Sequence, residues 1–405
     1  MHLPGNTPGV GSLLASIEDV GRDTRRGGYS RPVYSTAELD LRAWFKAEAQ
    51  RRGLDVETDR NGILWAWWGQ PQDGALVTGS HLDSVPGGGA FDGPLGVASA
   101  LAAVDVLRGR GVQPRRSLAL AVFPEEEGSR FGVACLGSRL LTGTIDADKA
   151  RNLRDADGTT FADAARANGL DPDRLGRDEQ ALSRIGDFVE LHVEQGRGLG
   201  DGGPAVAVGG SVLGHGRWRL SISGQGNHAG TTAMADRADP MVAAAHIVLA
   251  VQQAAAGLDG ARATVGRIEP VPGGTNVIAS RVDLWLDARH PQDPATLNLV
   301  ETIHGKAQKI AAFEGCTVTL SRESWTGTTE FDAGLRRSLE LSLPGAPVLA
   351  SGAGHDAGIL AGHVPAGMLF VRNPTGISHS PEEYVESDDA EAGAVALADA
   401  LQDLL

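Results

Sequence analysis

The sequence predicts an α/β catalytic domain with a mixed central sheet flanked by helices, interrupted by a smaller α+β unit, a ferredoxin-like sandwich. Three observations predict it. Short apolar runs alternate with helical segments in both outer parts of the chain, as strands and their covering helices do in α/β folds. Three of these runs end at, or just before, clusters of His, Asp and Glu. Between about Ser211 and Thr328 the pattern changes to strand, helix, two strands, helix, strand, which suits a sandwich inserted into a larger domain. The outer domain is therefore placed at residues 1–210 and 329–405, and the insertion at 211–328.

Taken in order, Thr36–Arg52 reads as a helix carrying Leu39, Trp44 and Phe45 among its apolar positions. Val56–Trp68 reads as extended, and Ala75–Gly79 as a short buried strand running into Ser80-His81-Leu82-Asp83. A helix rich in Ala, Val and Leu follows from Pro94 to Arg108. Ser117–Phe123 is a second buried strand, ending at Pro124-Glu125-Glu126-Glu127-Gly128. Phe188–Val193 is a third and carries His192. Gly367–Val371 is a fourth and feeds a loop holding His379. In the insertion, Trp218–Ser223 alternates as a half-buried strand does. Asp239–Ala256 is an Ala-rich helix, Ala261–Ile268 and Arg281–Ala288 are strands, Leu297–Phe313 is a helix, and Cys316–Ser321 closes the unit. In open α/β sheets ligands lie beyond the carboxyl ends of the strands, so distant polar clusters converge in one cleft.

Composition narrows the class. The chain has 405 residues, 41% of them apolar, enough for two or three cored units. No apolar run approaches the roughly 20 residues that span a bilayer, so no membrane partner is expected. Met1–Gly11 has neither a basic start nor an apolar stretch of signal-peptide length. With only Cys135 and Cys316, this points to the reducing cytoplasm. The net charge of −15 argues against nucleic acid as a partner. It leaves room for an anionic small molecule, because a local arginine pair overrides a global field.

Three clusters carry chemistry. In the first, His81 can offer a neutral imidazole nitrogen to a metal, and Asp83 can accept the other ring N–H. Glycines around Asp92 let backbone approach closely. The second is Glu125-Glu126-Glu127. A catalytic metal site needs a carboxylate ligand and a separate base, and adjacent Glu residues can divide those tasks, in an order the residues alone leave open. A lone strand-end His such as His192 is ordinarily structural, whereas His379 lies in a polar loop, where functional residues concentrate. Jointly, two carboxylates and three histidines suit a borderline divalent metal, Zn²⁺ first, with Mn²⁺, Co²⁺ or Ni²⁺ as alternatives. The third cluster, in the insertion, is Asn227-His228-Ala229-Gly230-Thr231-Thr232, where His228 suits hydrogen bonding to an oxyanion. Arg217, Asn276 and Arg289 belong to the same unit, and arginine suits bidentate carboxylate binding.

The segments GSHLDSVPGGGAFDGPLGV, FPEEEGSRFG, LHVEQG, NHAGTTAM, GGTNVIAS, LDAR, SGAGHDA and GISHSPEEY, in order from residue 79 to 384, resemble the M20 metallopeptidase superfamily. Within it they resemble the amidase branch of N-carbamoyl-L-amino-acid hydrolases, β-ureidopropionases and allantoate amidohydrolases. Each piece is weak alone; the ordered set is specific. The resemblance implies that His81, Asp92, Glu127, His192 and His379 hold two divalent metal ions per subunit, with Asp92 bridging. It implies that Glu126 is the general base and that Asp83 orients His81. It also implies that Arg217, Asn276 and Arg289 hold the substrate's carboxylate and polar groups. The Glu194-Gln195-Gly196 signature matches the amidase branch and adds Gln195 to the substrate contacts. The inserted domain is expected to form a homodimer, with His228 reaching a substrate in the partner's cleft. The implied reaction cleaves the C–N bond of an N-carbamoyl (ureido) amino acid, giving ammonia, carbon dioxide and an L-amino acid. Allantoate hydrolysis, or a related deacylase or peptidase activity, is the alternative. Two departures stand out: Ala233 where relatives carry Pro, and His215-Gly216 before Arg217, a segment that borders the substrate.

Overall fold

The computed structural model describes residues 9–200 and 202–405. The first eight residues of the Met1–Gly11 reading lie outside them. The described chain divides into two compact units, one reaching to Val212 and resuming at Glu330–Leu405, the other Leu213–Thr329.

The first unit is built on a mixed sheet that counts nine strands among the described residues. They run in the order Asp55–Thr58, Leu64–Trp68, Leu118–Phe123, Ala75–His81, Ile185–Val193, Ala366–Val371, Val206–Val212 and Thr329–Glu330, with Val348–Ser351 also on Val206–Val212. The four central strands are mutually parallel, so their carboxyl ends lie on one side. Both faces of the sheet are covered, which is why its strands read as continuous apolar runs. Leu118, Leu120 and Val122 pack into one core, and Ala119, Ala121 and Phe123 into the other. The first core is completed by the helices Pro94–Gly109 and Ser387–Leu404. Each fully buried Leu, Val or Phe contributes roughly 1.5–3 kcal/mol.

The Pro94–Gly109 helix shows how sequence sets this packing. Pro94 occupies the first turn, where its missing N–H costs nothing. Gly96 lets the helix lie against the Leu191 carbonyl and Ser80, where a Cβ has no room. Val56–Trp68, expected as one extended stretch, is instead two antiparallel strands with a turn between them. Asp59 makes the turn. Its Oδ1 accepts the N–H of Asn61 and Ile63, both at 2.9 Å, and Gly62 supplies a φ of +84°.

The second unit has a four-stranded antiparallel sheet in the order Thr317–Thr326, His215–Ser223, Arg281–Arg289, Arg262–Val271. With strands numbered along the chain this is 4-1-3-2, the ferredoxin-like arrangement. Trp218, Leu220 and Ile222 face the helices Pro240–Ala256 and Asp293–Phe313, while Arg217 and Arg219 point to solvent. No helix among the described residues is long and apolar enough to cross a membrane.

Candidate active site

Four parallel strands deliver the polar clusters. His81 ends its strand in register with Phe123, so the Pro124–Glu127 loop starts at the level of the imidazole. His192 lies in register with Phe370, whose strand feeds the loop bearing His379. Asp92 reaches the same place on the loop before Pro94.

Two groups of side chains result, His81–Asp92–His192 and Asp92–Glu127–His379, each with its coordinating atoms within 4.8 Å of one another. Asp92 belongs to both through different oxygens. Its Oδ1 lies 3.4 Å from His81 Nε2 and 3.2 Å from His192 Nε2; its Oδ2 lies 3.6 Å from His379 Nε2. Glu127 Oε2 is 3.4 Å from His379 Nε2.

The chemistry of these atoms fits metal ions. His81 Nδ1 faces the Asp83 carbonyl at 3.0 Å, and His192 Nδ1 faces the Val193 carbonyl at 2.9 Å. A carbonyl only accepts, so each Nδ1 carries a ring proton, and in the neutral ring each Nε2 presents a lone pair. Those lone pairs meet 3.4 Å apart, beside Asp92 Oδ1. With both rings neutral, three acceptors converge with no donor between them among the described residues, the arrangement a cation satisfies. The electrostatics agree. Burial alone would lower the pKa of His81, yet the Glu126, Asp83 and Asp92 carboxylates hold it well above the ordinary value. Burial and the Asp92 charge raise the Glu127 acid to about 8, and its Oε1 has no hydrogen-bond partner among the described residues. Both shifts mark a site of strongly negative potential, which suits bound cations.

The three consecutive acids point three ways. Glu125, at φ +57°, folds back and accepts the N–H of Arg130 and Phe131. Glu126 is buried, with Oε2 3.7 Å from His81 Nε2. Glu127 faces His379. Asp83 binds the loop together, its carboxylate accepting the N–H of Glu126 and of Glu127, each at 3.1 Å. The expected contact of that carboxylate with the His81 ring is longer, 3.6 Å, because the carbonyl of the same residue takes the closer place. Gln195 Nε2 donates to Asp92 Oδ2 at 2.9 Å, and its Oε1 is buried without a partner among the described residues. His81 and His192 are buried, whereas the His379 side chain is half exposed, so the second group is the open one.

The other four expected residues lie in the second unit, in two pairs. Arg217 and Arg289 flank Asp287, whose carboxylate takes two hydrogen bonds from Arg289, at 2.8 and 3.1 Å. His228 and Asn276 lie on adjoining segments, with the Asn276 carbonyl accepting the Ala229 N–H at 2.9 Å. His228 Nδ1 accepts the Gly230 N–H at 3.1 Å. In the neutral ring that leaves Nε2 as the protonated, outward donor.

Several supporting residues escaped the sequence reading. Glu383 Oε1 accepts the N–H of Phe91 and Asp92 at 3.0 and 2.9 Å and so holds the loop carrying Asp92. Ser378 bridges Gln195 and Asp92. His355 lies edge-on to the His192 ring at 4.6 Å. Glu190 accepts from Ser80 and the Ala357 N–H. Glu383 and Ser378 sit in GISHSPEEY and His355 in SGAGHDA, so the motifs flagged the segments without separating the roles inside them.

Comparison with known proteins gives consistent likenesses. The profile of Peptidase family M20/M25/M40 matches residues 77–403. The chain is 34% identical over 390 residues to an N-carbamoyl-L-amino acid amidohydrolase of Geobacillus stearothermophilus, covering 95% of each chain. It is 32% identical to an allantoate amidohydrolase of Escherichia coli, covering 92% of each. The crystal structure of an amidase of the hydantoinase/carbamoylase family from Burkholderia multivorans superposes with a TM-score of 0.85 at 29% identity, covering 97% of this chain and 96% of that one.

Proposed function

The chain belongs to Peptidase family M20/M25/M40, within its amidase branch, and from that premise we propose that it hydrolyses the ureido C–N bond of N-carbamoyl-L-amino acids, releasing ammonia and carbon dioxide. That it is a metal-binding hydrolase acting on amide C–N bonds follows from the family and its amidohydrolase members. The observation that carries the reading is Asp92, one carboxylate shared by two ligand groups with Glu126 beside them.

His81, Asp92 and His192 would hold one ion, and Asp92, Glu127 and His379 the other. When bound, the ions polarise the scissile carbonyl and make water a better nucleophile at neutral pH. Glu126 takes the proton of the attacking water and returns it to the leaving nitrogen. The outward Nε2–H of His228 suits an oxyanion. Arg289, with Arg217 and Asn276, anchors the substrate carboxylate. Gln195 holds Asp92 through its amide nitrogen, which leaves Oε1 to accept a ureido N–H. Assembly as a homodimer through the Leu213–Thr329 unit belongs to the same reading. So does a cytoplasmic location, which rests on two unpaired cysteines.

The test, after reconstitution with Zn²⁺, Mn²⁺, Co²⁺ or Ni²⁺, is ammonia release from the ureido compounds and release of the free amino acid from the N-formyl and N-acetyl compounds, which yield no ammonia. The panel contains N-carbamoyl-L-amino acids, N-formyl and N-acetyl amino acids, β-ureidopropionate and allantoate. Preference for N-carbamoyl-L-amino acids is expected. Ammonia from allantoate alone would transfer the reading to an allantoate amidohydrolase. Turnover confined to N-acetyl or N-formyl compounds would sink the ureido assignment.

A further inference from the structure

Glu126 has two carboxylate oxygens with different surroundings. Oε2 faces His81 Nε2, whereas Oε1 lies 3.4 Å from Cys135 Sγ, with the thiol as donor. Burial, and after it the Glu126 charge, hold this thiol well above its ordinary pKa, so the S–H proton is present.

Cys135 is itself tightly held. Its backbone sits at φ +55°, a left-handed conformation rare for a side chain other than glycine. Its N–H donates to the Glu126 carbonyl at 2.6 Å, and the next two N–H groups, of Leu136 and Gly137, donate to Glu125 and Pro124 at 3.0 and 3.1 Å. The acid-bearing loop is thereby stitched to the start of the Leu136–Thr142 helix. The Cys135 carbonyl lies 3.1 Å from Ser138 Oγ, which also lies 2.5 Å from Asp356 Oδ1. A single hydroxyl proton cannot serve both oxygens. The count closes if Asp356 carries a proton and donates it to Ser138, leaving Ser138 to donate to Cys135. Burial and the Glu190 charge raise the Asp356 acid to about 8, in the direction that count requires.

We propose that Cys135 and Ser138, backed by Asp356, form a hydrogen-bonded chain of positioning residues that holds the Glu126 carboxylate oriented for proton transfer and acts only through that carboxylate. The proposal rests on Glu126 being the base. A thiol is a weak donor, so its removal loosens the carboxylate without displacing it. The expected loss is about tenfold in turnover, well short of the roughly 10²–10⁴-fold that general-base catalysis supplies.

The experiment compares holoenzyme carrying Cys135→Ala, Cys135→Ser, Ser138→Ala, Glu126→Gln and the double change Glu126→Gln/Cys135→Ala, on the best substrate of the panel above. Metal content is measured alongside kcat and KM. Cys135→Ala should lower kcat about tenfold with KM within about twofold and both metals retained, and Cys135→Ser should recover most of the loss. The double variant should be no slower than Glu126→Gln alone, because a residue acting only through Glu126 has nothing left to act on. Should Cys135→Ala not fold, Ser138→Ala, with the same kcat–KM split, carries the test. Full additivity in the double variant, an unchanged kcat in both Cys135→Ala and Ser138→Ala, or a Cys135→Ser variant no better than Cys135→Ala would overturn the chain while leaving the base assignment standing. If Glu126→Gln turned over at close to the wild-type rate, the base assignment itself would fall and the positioning role with it.

Discussion

Asp92 is the residue on which both ligand groups depend. One oxygen serves His81 and His192, and the other faces His379. Asp92→Asn keeps the shape but removes the charge from both groups at once. The expected outcome is less than one metal ion retained per chain, measured by elemental analysis after desalting; two retained ions would remove Asp92 from its shared position. Glu383 acts one layer behind. Its carboxylate ties down the N–H of Asp92 itself and contacts Ser378, which in turn contacts Asp92 Oδ2. Partners of this kind typically change metal affinity 10–100-fold. Glu383→Ala should weaken metal retention by about that factor in a chelator competition, and wild-type affinity would show that the loop holds its shape without it. The sequence named the residue types here better than their tasks. Nothing in Glu125-Glu126-Glu127 says that the first acid turns back on Arg130 and Phe131, because that depends on a left-handed φ at Glu125 and on loop contacts five and six residues on.

At the scale of elements, legibility followed hydrophobic contrast. Ala75–His81, Leu118–Phe123 and Ala366–Val371 are buried at every position and stand out as apolar runs. The Ser387–Leu404 helix does not, although it covers the first core. Its inward stripe of Ala390, Gly393, Ala394, Leu397, Ala398 and Leu401 is mostly small residues among acids. Val206–Val212 was hidden in the same way, since Gly209 and Gly210 interrupt it. Small residues lower the contrast that periodicity depends on, yet they are what permit close packing. Gly96 makes the point measurable, since it lies against the Leu191 carbonyl one residue before His192, one of the side chains that could hold a metal ion. Gly96→Val forces the helix off the strand, and overpacking of this kind costs about 1–3 kcal/mol. A lower denaturation midpoint is expected, accompanied by reduced metal content because the His192 strand must shift. An unchanged midpoint would mean that the helix has slack the packing does not show.

For the whole molecule, the two units have separate cores. Trp218, Ile247, Leu284 and Ile303 belong to one that draws only on the Leu213–Thr329 unit, while Phe45, Leu101, Leu120 and Leu397 belong to the other unit. Among the described residues, both groups of side chains that could hold a metal ion lie in the unit that carries the nine-stranded sheet. A ligand that binds only the folded state stabilises it by about 2.7 kcal/mol at a hundredfold excess over Kd. That free energy acts on the unit that binds. Without cations the converging His81, His192 and Asp92 atoms would need protons in their place, so this unit has most to lose on chelation. Calorimetry of the full chain should therefore resolve two transitions in the presence of metal, and chelation should move one of them down by several degrees while the other stays in place. The transition that moves should also be the one lowered by Gly96→Val, which lies in the metal-binding unit. Equal shifts of both transitions, or a single transition that moves as a whole, would show that the two cores unfold as one cooperative body.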